Sequence, residues 1–336
     1  MSAGAPAAPV PPVPPVPVTV LTGFLGAGKT TLLAHLLRRA ELADTAILVN
    51  EVGAIAIDHH LVRDVRGDAV VLGSGCVCCT VAGDLVRALV ELAAQAARGE
   101  IPRFARALVE TTGLADPTGV VAALVQHPQV ARRYQAGAIV TAVDGVLGQD
   151  TLARQPEAAA QVALADRLVL TKTDLAGAET IAALEAALRG RNAGAPIVHA
   201  AHGEVAPEVL LAPAPDADWI AAAAGAASGH GFITTFTACF DRPLRLGPLG
   251  LWLRLMTEMH GPALLRVKGL VDAEGEDGPL VIDCVQHVIH PARRLPAWPD
   301  GDRRSRLVFI ARGLAAGTIA SLRRSLADTV GLPLLP

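Results

Sequence analysis

The sequence predicts an α/β fold: a mostly parallel sheet covered by helices over the first two-thirds, then a small α+β domain. Three observations predict it. Short aliphatic runs alternate with segments of helical apolar spacing between residues 18 and 211. Turns rich in glycine, charge and hydroxyl groups follow the ends of those runs. Beyond a stretch rich in Ala, Pro and Gly, the rhythm changes to strands grouped around two helices. Regular alternation of strand and helix implies parallel strands joined by helical crossovers. In such sheets ligands gather at the carboxyl ends of the strands.

Taken in order, residues 18–22 form the first strand and 29–39 a helix. Residues 45–50 and 69–72 are further strands, and 81–98 carry apolar residues at helical spacing. Residues 106–110 make a strand that ends in a Thr-Thr-Gly turn, and 137–143 and 168–171 are two more buried strands. The stretch 211–231 contains APAPDAD, AAAAGAAS and GHG and reads as a linker. Strands follow at 232–239, 264–271, 280–288 and 306–311, with helices at 248–260 and 317–329. The expected organisation is a proline-rich disordered tail over 1–17, a nucleotide-type domain over 18–211, a linker over 212–231 and an α+β domain over 232–336. No internal repeat is visible.

Composition narrows the function classes. Of 336 residues, 51% are hydrophobic and only 3% aromatic, so aliphatic side chains must fill the core. The formal net charge of −3 gives no footprint for nucleic acid, and no polybasic run suits a membrane surface. No apolar stretch approaches the roughly 20 residues that span a bilayer. The start, MSAGAPAAPVPPVPPVP, lacks the cationic start and apolar core of a signal peptide. Its prolines predict an extended, mobile tail, with a proline-rich ligand for a partner domain as the alternative. Five cysteines, three of them within four positions, make a poor disulfide framework and point to a reducing cytoplasm.

The most specific motif is GFLGAGKT at 23–30, a full match to G-x-x-x-x-G-K-[ST] between a strand and a helix. This makes the first domain a P-loop NTPase domain. Glycines let the backbone curl so that N–H groups, including those of Gly26, Ala27 and Gly28, converge on phosphate oxygens. The following helix presents its positive end to the same anion. Lys29 is expected at the β and γ phosphates, the Thr30 hydroxyl on Mg²⁺, and Thr31 near the α phosphate.

Two further turns read the base and the metal. TKTD at 171–174 stands where guanine-specific proteins carry Asn-Lys-x-Asp. The Asp174 carboxylate would accept from guanine N1–H and the exocyclic amine, and adenine lacks that donor pair. The Lys172 stem packs along the base. Thr171 replaces the usual Asn and supplies part of its hydrogen bonding; capping of a helix by Asp174 is the alternative. VHAAH at 198–202 lies after the next strand, where backbone contacts to the base are expected. ETTG at 110–113 is where P-loop proteins place an acid for Mg²⁺ or the attacking water, here Glu110, and a glycine N–H for the γ phosphate, here Gly113. Glu51 and Asp58, past the second strand, are candidate ligands for a transition metal or Mg²⁺.

GCVCCT at 75–80 is the second distinctive feature. Thiolates of Cys76, Cys78 and Cys79 favour Zn²⁺, Cu(I) or Fe–S clusters over Mg²⁺. Three ligands leave a tetrahedral shell one short; Glu51, a histidine, water or a second chain in a homo-oligomer would supply the fourth. A redox pair and inert buried thiols are the alternatives.

Together these residues resemble the CobW-type metallochaperone GTPases, relatives of the GTPases that insert nickel into urease and hydrogenase. The resemblance rests on GFLGAGKTTLL (23–33), NEVG with Asp58, GCVCCT (75–80), ETTGLADP (110–117) and LTKTDLAG (170–177). It continues through LLRVKGLV (264–271), VQHVIHP (285–291), Trp298 and SRLVFIARGL (305–314), covering nearly everything after the tail. It implies a GTPase that binds GTP and GDP with Mg²⁺ and carries Zn²⁺, or Co²⁺ or Ni²⁺, at Cys76, Cys78 and Cys79. Nucleotide state would govern metal affinity and docking on a client metalloprotein, with the C-terminal domain helping to recognise the client. Ala54 stands where the family often has an acid. The ten histidines are scattered, with His59 and His60 the only adjacent pair, so no histidine-rich reservoir is present. His127, after ETTGLADP, is either a surface residue or near the metal. An accessory role in cobalamin or other metallocofactor assembly, and a nucleotide-gated regulator without cargo, remain open.

Overall fold

The computed structural model describes residues 14–49, 70–73, 81–224, 229–230 and 232–335. The first part is a seven-stranded sheet made of β1 (Val16–Thr22), β2 (Thr45–Val49), β3 (Val70–Gly73), β4 (Arg106–Glu110), β5 (Tyr134–Asp144), β6 (Arg167–Thr171) and β7 (Ile197–His199). Its order is β3-β2-β4-β1-β5-β6-β7, and every pairing is parallel. The helices of this part are α1 (Lys29–Leu36), α2 (Val81–Arg98), α3 (Thr118–Gln126), α4 (Pro128–Ala131), α5 (Gly148–Arg154), α6 (Pro156–Leu164), α7 (Ala178–Arg189), α8 (Glu208–Leu211) and α9 (Asp216–Ala224). The strand that feeds the P-loop, β1, lies between β4 and β5, so the chain's order along the sheet reverses there. That is the position at which open α/β sheets form their ligand crevice.

Aliphatic strands work here because both faces are covered. Val18, Val20, Ala46 and Leu48 pack into one core, while Leu21, Ile47 and Val49 pack with Leu32, Leu33 and Leu36 of α1 on the other face.

The second part is antiparallel: β8 (Gly229–His230), β9 (Ile233–Phe240), β10 (Leu264–Val271), β11 (Leu280–Val285), β12 (Val288–Ile289), β13 (Arg293–Arg294) and β14 (Ser305–Arg312). The order is β12-β11-β10-β14-β9-β8, with β13 on β11. Helices α10 (Leu246–His260) and α11 (Ala316–Val330) complete it. Side chains alternate between faces with period two. Leu307 and Phe309 of β14 pack in the core shared with Trp252 and Leu322, whereas Val308 and Ile310 join the core of the first sheet. One apolar core therefore runs through the junction between the two sheets.

A buried ion cluster crosses the same junction. Asp166, just before β6, accepts Ile139 N–H at 2.8 Å, Arg266 Nη2 at 2.8 Å and the Lys268 ammonium. Arg266 also holds Asp283 at 2.9 and 3.0 Å, and Lys268 reaches Asp216 at 2.8 Å. Burying charges this deeply is tolerable only when each is paired.

Three expectations are corrected. Val16 and Pro17, placed in the tail, belong to β1: Val16 N–H bonds Arg133 O at 2.8 Å. Pairing with β4 begins only at Val18, so the N–H that Pro17 lacks has no partner strand to lose. The stretch 212–231 is not simply a linker, since α9 lies within it. Trp219 is fully buried there and its indole N–H meets Ala165 O at 3.3 Å. The run 280–288, expected as one strand, turns at Gln286, which has φ 49°, to make the β11–β12 hairpin.

Candidate nucleotide and metal site

The carboxyl edge of the parallel sheet collects the candidate residues on either side of β1. The loop after β1 crowds against β5: a Cβ at Gly23, whose φ is 140°, would stand 2.3 Å from Ala142 O. Only glycine fits that contact. Gly28 caps α1, so the first turn of the helix opens toward the loop. Lys29 is buried, and its ammonium donates to Gly23 O at 2.7 Å and Phe24 O at 3.3 Å.

Thr30 and Glu110 are brought together. Thr30 Oγ1 donates to Glu110 Oε1 at 3.3 Å, joining the first turn of α1 to the end of β4. Glu110 is buried. Hard oxygen donors from a hydroxyl and a carboxylate match the preferences of Mg²⁺. Thr31 is exposed one position on, beside the backbone of Gly203. Gly113 lies against the P-loop, because a Cβ there would come within 2.5 Å of Leu25 N. Its carbonyl accepts Gln161 Nε2 at 3.1 Å, and the same amide reaches Ala115 O at 3.0 Å. Gln161 thus steadies the segment after Glu110, a role no motif in the sequence announces.

On the other side of β1 stand the residues of the base motif. Thr171 Oγ1 is 2.8 Å from Ala27 O and 3.2 Å from Val143 O, so a hydroxyl fastens β6 to the P-loop in the place of the usual Asn amide. Lys172 adopts the left-handed conformation, φ 56° and ψ 30°. Its ammonium bonds Gly26 O at 2.8 Å and Asp144 Oδ2 at 2.6 Å. Asp174 accepts His202 N–H at 3.0 Å and lies 3.1 Å from His202 Nδ1. The His202 amide is the main reason its carboxyl sits below the ordinary value. His202 belongs to the 198–202 segment expected to supply backbone contacts to the base, and its own amide meets the Asp174 carboxylate.

Asp144 was missed. Burial pushes its carboxyl up, but Lys172 and the Leu147 and Val146 amides outweigh burial and hold it below the usual carboxylate value. The available signal was an acid closing an aliphatic strand, GAIVTAVD, at the ligand edge.

Cys76, Cys78, Cys79, Glu51 and Asp58 lie outside the described residues. Their flanks are described. Glu110 is in register with Val49, and Val49 with Gly73. The segments 50–69 and 74–80 therefore both depart from the sheet edge that holds Glu110. His127 does not share this edge. It follows α3, which starts after the carboxyl end of β4 and leads back toward the amino end of β5. Among the described residues, no group of three or more His, Cys, Asp or Glu could hold a metal ion.

Residues 17–199 match the CobW/HypB/UreG nucleotide-binding domain, and residues 233–330 match the cobalamin synthesis protein cobW C-terminal domain. The chain belongs to the CobW family. It is 31% identical over 306 residues to the zinc chaperone YjiA of Escherichia coli K12, covering 87% of this chain and 93% of that one. It is 34% identical over 226 residues to the zinc chaperone CobW of Pseudomonas aeruginosa, covering 58% and 59% of the two chains. The crystal structure of the Zn(II)-bound YjiA GTPase from E. coli superposes with a TM-score of 0.68 at 28% identity, over 94% of this chain and 99% of that one. The overall fold is thus shared with that structure.

Proposed function

We propose that this CobW-family protein binds and hydrolyses GTP, and uses its nucleotide state to load Zn²⁺, or Co²⁺ or Ni²⁺, and release it to a client metalloprotein. The cargo is held by Cys76, Cys78 and Cys79, with Glu51 as a further ligand. One observation carries the reading. The in-register ends of β3, β2 and β4 launch the cysteine segment, the segment with Glu51 and Asp58, and Glu110 from neighbouring positions. Adjacent strands are about 4.8 Å apart, so the three departures span about 10 Å. The relatives named zinc chaperones and the Zn(II)-bound YjiA structure support the choice of metal.

In the hydrolytic step, water attacks the γ phosphorus and the bond to the GDP oxygen breaks. Lys29 offsets charge on the β and γ phosphates, and the Gly113 N–H meets a γ oxygen. Thr30 and Glu110 fit as the Mg²⁺ residues, with Asp58 as the remaining candidate. When bound, Mg²⁺ neutralises charge on the phosphate oxygens. Asp174 reads guanine, and Lys172 packs along it. Unaided turnover is expected to be slow. Among the described residues no helix is long and apolar enough to cross a membrane.

The test is phosphate release from GTP and ATP with Mg²⁺, with and without Zn²⁺, for the wild type and Cys78→Ser. GTP preference and a Zn²⁺ response lost in Cys78→Ser are expected. A Cys78→Ser protein with unchanged Zn²⁺ affinity and Zn²⁺ response would contradict the reading.

A further inference from the structure

Two acids flank the P-loop strand, one on each side: Glu110 on β4 meets Thr30, and Asp144 on β5 meets Lys172. The two oxygens of Asp144 bind different partners. Oδ1 accepts Val146 N–H at 2.8 Å and Leu147 N–H at 3.0 Å, which shapes the turn into α5. Oδ2 takes the Lys172 ammonium. Asp144 and Thr171 are cross-strand neighbours, and Gly145 N–H bonds Thr171 O at 2.8 Å, so the two strand ends are locked side by side. The Lys172 stem is therefore fixed at both ends, at β6 and at Gly26 of the P-loop. Without Asp144 the ammonium keeps one neutral carbonyl, and a lysine side chain 37% exposed has rotamer entropy and hydration drawing it into solvent.

Building on the guanine reading above, we propose that Asp144 is the positioning residue of the purine side. Its carboxylate holds the Lys172 stem as the wall against which the base packs, and so sets guanine-nucleotide affinity through Lys172 without touching the nucleotide. Glu110 and Asp144 then divide the labour, one serving the phosphate and metal side, the other the base side. The charge is what matters at Oδ2, whereas any carbonyl oxygen suffices at Oδ1.

Asp144→Asn separates these roles, because the amide oxygen still accepts from Val146 and Leu147 while the partner of Lys172 loses its charge. The experiment titrates fluorescent GDP and inorganic tripolyphosphate into the wild type, Asp144→Asn, Lys172→Met and the double variant. The expected result is GDP binding about tenfold weaker in each single variant, no further loss in the double variant, and tripolyphosphate binding unchanged throughout. Wild-type GDP affinity in Asp144→Asn would overturn the proposal, as would additive losses in the double variant. Parallel loss of tripolyphosphate would also overturn it, since Asp144 would then be supporting the P-loop itself. If the wild type binds tripolyphosphate but not GDP, the guanine reading falls and Asp144's role falls with it. GDP binding that is indifferent to Asp144→Asn removes only the role of Asp144.

Discussion

Arg266 of the antiparallel sheet donates to Asp166, just before β6 of the parallel sheet, at 2.8 Å, although 100 residues separate them in the chain. Both side chains are almost fully buried, and Lys268, wholly buried, shares the same carboxylate. Removing Asp166 leaves two buried cations short of a partner. Asp166→Ala is expected to destabilise the protein by about 3–5 kcal/mol, the range for breaking one side of a buried pair. Equilibrium urea unfolding measures it.

The same carboxyl sets an acid limit. Burial pushes Asp166 up, but Arg266 and Lys268 overcome burial and hold it at about 2. Its folded value lies below the unfolded value of about 3.9. The stabilisation is thus complete above the ordinary carboxylate range and is lost as pH falls between about 4 and 2. Urea midpoints measured across that window should fall steeply for the wild type and more gently for Asp166→Asn.

Glu110→Gln keeps an oxygen able to accept from Thr30 but removes the negative charge. GTP turnover should fall about hundredfold, the scale of losing one electrostatic group from a phosphoryl-transfer site. GDP affinity without added Mg²⁺ should stay within a factor of about three. Steady-state phosphate release and fluorescent-GDP titration check the two halves of this expectation.

Asp174→Asn offers one acceptor and one donor in place of two acceptors. Guanine presents two donors, so GDP affinity should drop by more than about a hundredfold. Xanthine replaces the exocyclic amine with a carbonyl, which suits the new donor, so XDP should become the preferred diphosphate. Competition between GDP and XDP for the variant decides it.

The alternating elements of the first domain were legible because strand and helix periodicities are local, and so was the P-loop, whose spacing is a local signature. What escaped the sequence reading depends on distant partners. The pairing of Asp166 with Arg266 and Lys268 joins residues about a hundred positions apart, and no window contains both. Helix α9 was hidden because its alanines and flanking prolines look like linker composition; burial of Trp219 against Ala165 is what fixes it. Asp144 belongs to no motif, and its meaning appears only when β5 and β6 lie side by side. The turn at Gln286 interrupts an apolar run without glycine or proline to mark it.

The central claim, that nucleotide state controls metal cargo, is tested most directly by competition titration of Zn²⁺ under reducing conditions. The apo protein, the GDP form and a form loaded with a non-hydrolysable GTP analogue are compared. The account predicts that the GTP-like state binds Zn²⁺ at least about tenfold tighter than the GDP state, a coupling of about 1.4 kcal/mol. Equal affinity in all three states would contradict it, because a ligand can shift metal binding only by as much as its own affinity differs between the two states.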